Sequence, residues 1–221
     1  MLQMIMKKRK VLLIMLKGCI KMNVPNRITV CRIVISIILL VLMIFPLNRI
    51  GISFPELRVN AELIIDSKYL ICGILFLIAA VTDFLDGYLA RKYNLVTDLG
   101  KVMDAIADKI LVNGVLVILA TEGLISVVIP VVIVSRDIIV DSIKMASGSK
   151  GKVVAASWAG KIKTICMMIG VTLLFFYNMP FAFIAQGLRV DYFFIFVAVI
   201  MSIISGCQYY LVNKDFIFSE I

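Results

Sequence analysis

The chain contains no histidine. That single absence removes Ser-His and Cys-His nucleophile pairs, His-ligated zinc and any imidazole general base. Acid–base chemistry must fall to carboxylates, lysines, tyrosines or metal-bound groups. Cysteine is scarce and scattered, with Cys19, Cys31, Cys72, Cys166 and Cys207 standing singly and forming no C-x-x-C pair. The last four lie in apolar runs, where a thiol packs as a small hydrophobe, so neither a disulfide framework nor a thiolate metal cluster is expected. Charge is also thin, at 17% of 221 residues.

Apolar surface is abundant instead. Hydrophobic residues make up 62% of the chain, against roughly 45–50% in soluble globular proteins, and mean hydropathy is +1.07. A water-soluble fold of this size could not hide that much apolar surface, so lipid must be part of its solvent. Six stretches, at 28–46, 68–90, 100–121, 124–146, 157–178 and 190–213, approach the length needed to cross a bilayer, about 20 helical residues. With no period-2 pattern, a closed barrel is excluded. The expected fold is an all-α, polytopic membrane helix bundle with six transmembrane helices and a cytoplasm-facing polar cavity. Residues 47–67 form the one long polar connection, and the loop after the fourth span carries Gly148, Ser149 and Gly151.

The net charge of +9 sets the orientation. Of 23 Lys and Arg residues, sixteen from Lys7 to Lys214 fall on one side of the spans. Four (Arg49, Arg58, Lys68 and Arg189) fall on the other, and Arg32, Lys109 and Arg136 lie within spans. The positive-inside rule then places both termini, and the loops near 91–101 and 147–160, in the cytoplasm of a plasma-membrane protein. The charge is a membrane collar, and no nucleic-acid partner is expected. Residues 1–22 read as a basic amphipathic segment on anionic lipid, unless translation begins at Met22. A membrane domain over 23–213 and a short tail over 214–221 complete the division.

Four aspartates interrupt the second and third spans. Asp83 and Asp86 are spaced i, i+3, and Asp104 and Asp108 are spaced i, i+4, so each pair shares one helical face. Each carboxylate costs about 2.5–3.5 kcal/mol at a helix centre, so these faces must turn inward and be compensated. Counting from Arg91 and Gly100, both pairs sit about 6–12 Å below the cytoplasmic end of one antiparallel hairpin. Four like charges in one layer need cations. Oxygen-only ligands select hard divalent ions, with Mg²⁺ first and Mn²⁺ or Ca²⁺ as alternatives. Gly87, Ala90 and Gly100 keep the hairpin cleft open, and Arg91 is placed to meet a phosphate.

The run Asp83-x2-Asp86-Gly87-x2-Ala90-Arg91-x8-Gly100-x3-Asp104-x3-Asp108 resembles the signature of the CDP-alcohol phosphatidyltransferases at every fixed position. The resemblance implies a six-helix membrane enzyme that displaces CMP from a CDP-linked lipid, commonly as a homodimer. It implies two Mg²⁺ ions on Asp83, Asp86 and Asp104. Asp108 would be the general base and a further contact to metal. It also assigns Asn26, Thr29, Gly87, Arg91 and Thr97 to the CDP-diacylglycerol head group.

The acceptor alcohol is read from other positions. Arg136 in the fourth span, with Lys161 and Lys163 opening the fifth, could together hold a phosphate dianion. A phosphorylated alcohol fits, whereas choline or ethanolamine would be repelled. Asn23-Val24-Pro25-Asn26-x2-Thr29-x2-Arg32, Ser135-Arg136-Asp137 and Ser157-Trp158-x-Gly160-Lys161-x-Lys163-Thr164 are similar to the branch of the family that uses glycerol 3-phosphate. Where that branch often has Arg-Glu, this chain has Arg136-Asp137. Relatives that use phosphatidylglycerol or an inositol phosphate share the aspartate signature, and a small cation transporter is the alternative from a different class. Residues 1–21, 47–67 and 179–221 carry no signature.

Overall fold

The computed structural model describes residues 23–45, 55–58, 64–93, 97–149, 157–179, 181 and 188–218. The basic segment 1–22 and most of the loop after the fourth helix lie outside them. Six helices stand among the described residues: α1 (Val24–Ile44), α2 (Ser67–Lys92), α3 (Asp98–Thr121), α4 (Val128–Ser149), α5 (Trp158–Phe175) and α6 (Val190–Phe218). They fall on the six expected stretches. Residues 47–67, expected only as a polar connection, also contain a short antiparallel pair, β1 (Glu56–Arg58) and β2 (Ile64–Asp66), with Leu57 opposite Ile65.

The helix ends follow from local chemistry. α1 starts with Pro25 in its first turn, where the missing N–H costs nothing. It ends at Phe45, which is extended because Pro46 follows it. Asp66, Thr97 and Ser157 cap α2, α3 and α5 by accepting from the backbone N–H groups of Lys68, Gly100 and Gly160, at 2.8, 3.0 and 3.1 Å. Such a cap contributes about 1 kcal/mol. Several boundaries differ from expectation. α1 begins four residues before 28, α4 covers Val128–Ser149 instead of 124–146 so that Gly148 and Ser149 are helical rather than in a loop, and α6 runs on to Phe218 past the expected limit at 213.

α1 packs against α2 and α3, while α6 packs against α5 and α4. One core joins the two groups. It includes Leu39 from α1, Phe76 from α2, Leu111, Leu116 and Leu119 from α3, Met167 and Phe175 from α5, and Ile195 from α6. α5 and α6 approach so closely that a Cβ at Gly170 would meet the Ile195 backbone nitrogen at 3.0 Å. Small residues at such crossings let helix backbones touch where lipid supplies no hydrophobic drive. The corner between α5 and α6 is pinned by buried Asn178 at φ 60, whose side chain accepts from the Asp191 N–H and donates to the Leu188 carbonyl. At the same end the Tyr177 hydroxyl accepts from the Asp66 N–H at 3.0 Å, tying the strand pair to α5.

The outer surface is apolar. Phe84 is 70% exposed while Asp86, two residues on, is 3% exposed. At this level α2 therefore turns Asp86 inward and Phe84 outward, the reverse of a soluble helix. Among the described residues, four helices are long and apolar enough to cross a membrane: α1, α2, α5 and the Val190–Asn213 part of α6. This is an integral membrane protein. α3 and α4, of 24 and 22 residues, span about 36 and 33 Å. Charges lie inside both helices, with Lys101, Asp104, Asp108 and Lys109 on one and Arg136, Asp137, Asp141 and Lys144 on the other.

Candidate functional site

The polar residues of α1 recur at Asn26, Thr29, Arg32 and Ser36, close to the helical period, and all four are buried. This stripe faces the α2–α3 hairpin. Asp83 and Asp86 from α2 and Asp104 from α3 each bring a carboxylate oxygen within 4.8 Å of the others. Arg32, 0% exposed, reaches into the middle of them. Its Nη1 pairs with Asp83 and lies 3.8 Å from Asp86 Oδ2, while Nη2 pairs with the Asp104 carboxylate and donates to the Asp104 carbonyl at 3.2 Å. The Thr29 hydroxyl donates to Asp86 Oδ2 at 2.9 Å, leaving Asp86 Oδ1 buried with no hydrogen-bond partner. Three carboxylates at this spacing, one with an orphaned buried oxygen, fit a hard divalent cation.

All five residues expected to meet the nucleotide lipid, Asn26, Thr29, Gly87, Arg91 and Thr97, line one cavity of about 180 Å³. Asp86 and Asp104 form part of its wall. Asn26 donates to the Thr97 hydroxyl at 3.0 Å, locking the start of α1 to the start of α3. Gly100 makes this contact possible, because a Cβ there would fall 2.6 Å from Asn26 Oδ1. At Gly87 a Cβ would meet protein no closer than 3.7 Å, at Arg91. Gly87 therefore leaves its space to the cavity rather than to another helix.

Asp108 does not join the trio. One turn further along α3, it lines a second cavity, of about 300 Å³. There it meets Arg136, Lys161 and Lys163, the three cations expected to hold the acceptor phosphate. Asp137 also lines this space and pairs with both Arg136, at 3.0 Å, and Lys163. Lys109 pairs with Asp141 across α3 and α4. The expected layer of four carboxylates thus divides into three on one cavity and one on the next. The reason is the advance along the helix: four residues carry Asp108 about 6 Å along α3 while returning it nearly to the same face, enough to take it past the metal-sized space.

The structure adds residues for which the sequence showed no role. Ser205 and Tyr209 come from α6, in a region without signature. The Ser205 hydroxyl accepts from Arg136 Nη2 and lies 2.7 Å from the Ser157 hydroxyl. The Tyr209 hydroxyl accepts from the Ser157 N–H at 3.1 Å, and its ring lies 5.7 Å from the Arg136 guanidinium. A fully buried serine in an apolar helix is a weak signal, shared with Ser36 and Ser202. Arg32 gave a stronger one. A cation three residues after Thr29, on the polar stripe of an apolar span, needs an acidic partner.

The sequence pattern of the CDP-alcohol phosphatidyltransferase family matches residues 22–205. The chain is 38% identical over 193 residues to the CDP-diacylglycerol–glycerol-3-phosphate 3-phosphatidyltransferase of Bacillus subtilis, covering 87% of this chain and 96% of that one. It is 39% identical over 153 residues to the protein of the same name from Mycoplasma genitalium, covering 68% of this chain and 64% of that one. A third so named, from Rickettsia bellii, is 31% identical over 194 residues, which is 88% of this chain and 97% of that one.

Proposed function

Because the chain belongs to the CDP-alcohol phosphatidyltransferase family, we propose that it transfers the phosphatidyl group of CDP-diacylglycerol to glycerol 3-phosphate, giving phosphatidylglycerol phosphate and CMP. The observation that carries this reading is the pair of cavities flanking α3. One carries Asp86 and Asp104 among the nucleotide-side residues, the other has an excess of Lys and Arg, and Asp104 and Asp108 stand one turn apart on their walls.

In this reading Asp83, Asp86 and Asp104 would hold Mg²⁺, two ions when the diphosphate is present, and Asp108 stands apart from them in the next cavity. The metal would neutralise the diphosphate and stabilise the departing CMP phosphate. The protein's own groups do the rest. Asn26, Thr29 and Thr97 offer hydrogen bonds to the cytidine and ribose, Gly87 leaves room for the head group, and Arg91 faces a phosphate oxygen. Arg136, Lys161 and Lys163 hold the acceptor's phosphate, which leaves its primary hydroxyl toward α3. Asp108 takes the proton of that hydroxyl as its oxygen bonds to the lipid-proximal phosphorus. The bond from that phosphorus to the bridging oxygen breaks, and CMP leaves with the electron pair.

All six helices are read as spanning the bilayer. α3 and α4 are tolerated there because their charges face the cavities and one another rather than lipid. The excess of Lys and Arg at one end supports a cytoplasmic opening of both cavities at the plasma membrane, where CDP-linked and phosphorylated substrates are found. A homodimer rests on likeness to the family alone, and crosslinking in native membranes tests it.

The decisive assay supplies purified protein in vesicles with CDP-diacylglycerol, Mg²⁺ and one candidate alcohol at a time. Glycerol 3-phosphate should give equal amounts of CMP and phosphatidylglycerol phosphate. Release of CMP only with phosphatidylglycerol or an inositol phosphate would overturn the acceptor. No metal-dependent CMP release with any alcohol would overturn the reaction.

A further inference from the structure

We propose that Arg32 is the resident counter-ion of the aspartate cluster: it holds the three carboxylates together before a divalent cation arrives and lowers the cluster's affinity for that cation. This inference rests on the reading of the cluster as a divalent-cation site. It goes beyond that reading by assigning a task to a residue of α1 that is not itself a ligand.

Burial gives the first argument. Arg32 is 0% exposed, so its charge has no access to water and must be balanced within the protein. The guanidinium faces Asp83, Asp86 and Asp104 together, through Nη1 on one side and Nη2 on the other. By contrast Arg91, which lines the same cavity, is exposed to solvent.

Charge counting gives the second. Three ionised carboxylates carry −3, and Arg32 brings the cluster to −2, the charge one divalent cation cancels. A second divalent cation would leave +2, which the two negative charges of a diphosphate cancel in turn. Without Arg32 the empty cluster would hold three mutually repelling charges in a low-dielectric site, and a cation entering it would meet no like charge. Removing Arg32 should therefore destabilise the metal-free protein and tighten cation binding. A residue acting only as packing would give the first effect without the second.

The test measures Mn²⁺ binding by electron paramagnetic resonance, and thermal stability with and without Mn²⁺, in wild-type protein, Arg32→Gln and Arg32→Lys. Arg32→Gln should bind Mn²⁺ at least about tenfold more tightly, and its melting temperature should depend on Mn²⁺ far more than that of the wild type. Arg32→Lys, which keeps the charge, should stay near wild type in both. If Arg32→Gln is recovered only in the presence of Mn²⁺, or only when combined with Asp83→Asn, the counter-ion role stands. Unchanged or weaker Mn²⁺ binding by folded Arg32→Gln would overturn it, and so would failure to recover the variant under either condition. Wild-type protein that binds no Mn²⁺ would instead overturn the metal-site reading, so the two failures are distinct.

Discussion

The two cavities on either side of α3 solve one electrostatic problem with opposite signs. On the α1–α2 side three carboxylates surround a buried arginine. On the α4–α5 side Arg136 and Lys163 share the carboxylate of Asp137. Each group of like charges has a counter-charge from the protein. The settings differ, however. Arg32 is wholly buried, whereas Asp137 remains partly exposed at 17% of its side chain and Lys161 is exposed. Around that buried cation the side chains of Asp83 and Asp104 stay 36% and 52% exposed, open to an entering metal ion. On the basic side Arg136 and Lys163 are 14% and 7% exposed, and exposed Lys161 offers a soluble anion its first contact. In a molecule whose exterior is lipid-facing, a charge is tolerated only where its partner is already built in or arrives with the ligand.

Substitutions can break that comparison, and the largest effect is expected at the boundary between the sides. Asp108→Asn removes the proposed base while leaving the trio intact. Turnover should fall by about 10²- to 10⁴-fold, with binding of CDP-diacylglycerol substantially spared when measured by equilibrium dialysis in detergent. Full activity would sink the proposed base. Next comes the basic side alone. Arg136→Gln should raise KM for glycerol 3-phosphate by about 10- to 100-fold, as loss of a charge-assisted contact predicts, while KM for the lipid substrate stays unchanged. A rise in the lipid KM instead would mean that the cavities are not separate. The smallest effect is expected at Ser205→Ala. Losing one hydrogen bond to Arg136 should cost about 1 kcal/mol, roughly a fivefold rise in KM for glycerol 3-phosphate, with kcat little changed. An equal fall in kcat for all acceptors would make Ser205 a packing residue only.

Much of this was legible before any coordinates. Six apolar runs became six helices because lipid leaves a backbone no other way to satisfy its own hydrogen bonds. Asp83, Asp86 and Asp104 came together because helical spacing and the cost of charge in lipid leave an inward face as their one tolerable position. The strand pair between α1 and α2 was not legible. β1 and β2 are three residues each, too short for a period to register. Nor was the part played by α6, where Ser205 and Tyr209 are polar groups with no motif around them. Their significance depends on a helix that begins 54 residues after Arg136 in the chain.

By itself the sequence determined the solvent, the places of the six long helices and the kind of chemistry available. Hydropathy, helical periodicity and the missing histidine are local properties, and each acts without knowing where the chain goes next. Only the tertiary structure decided that Asp108 leaves the other three aspartates for the basic cavity. Only it set Arg32 among the carboxylates rather than against lipid. Those outcomes depend on how helices rotate about their axes and which neighbours they meet, and packing across the whole bundle sets that rotation.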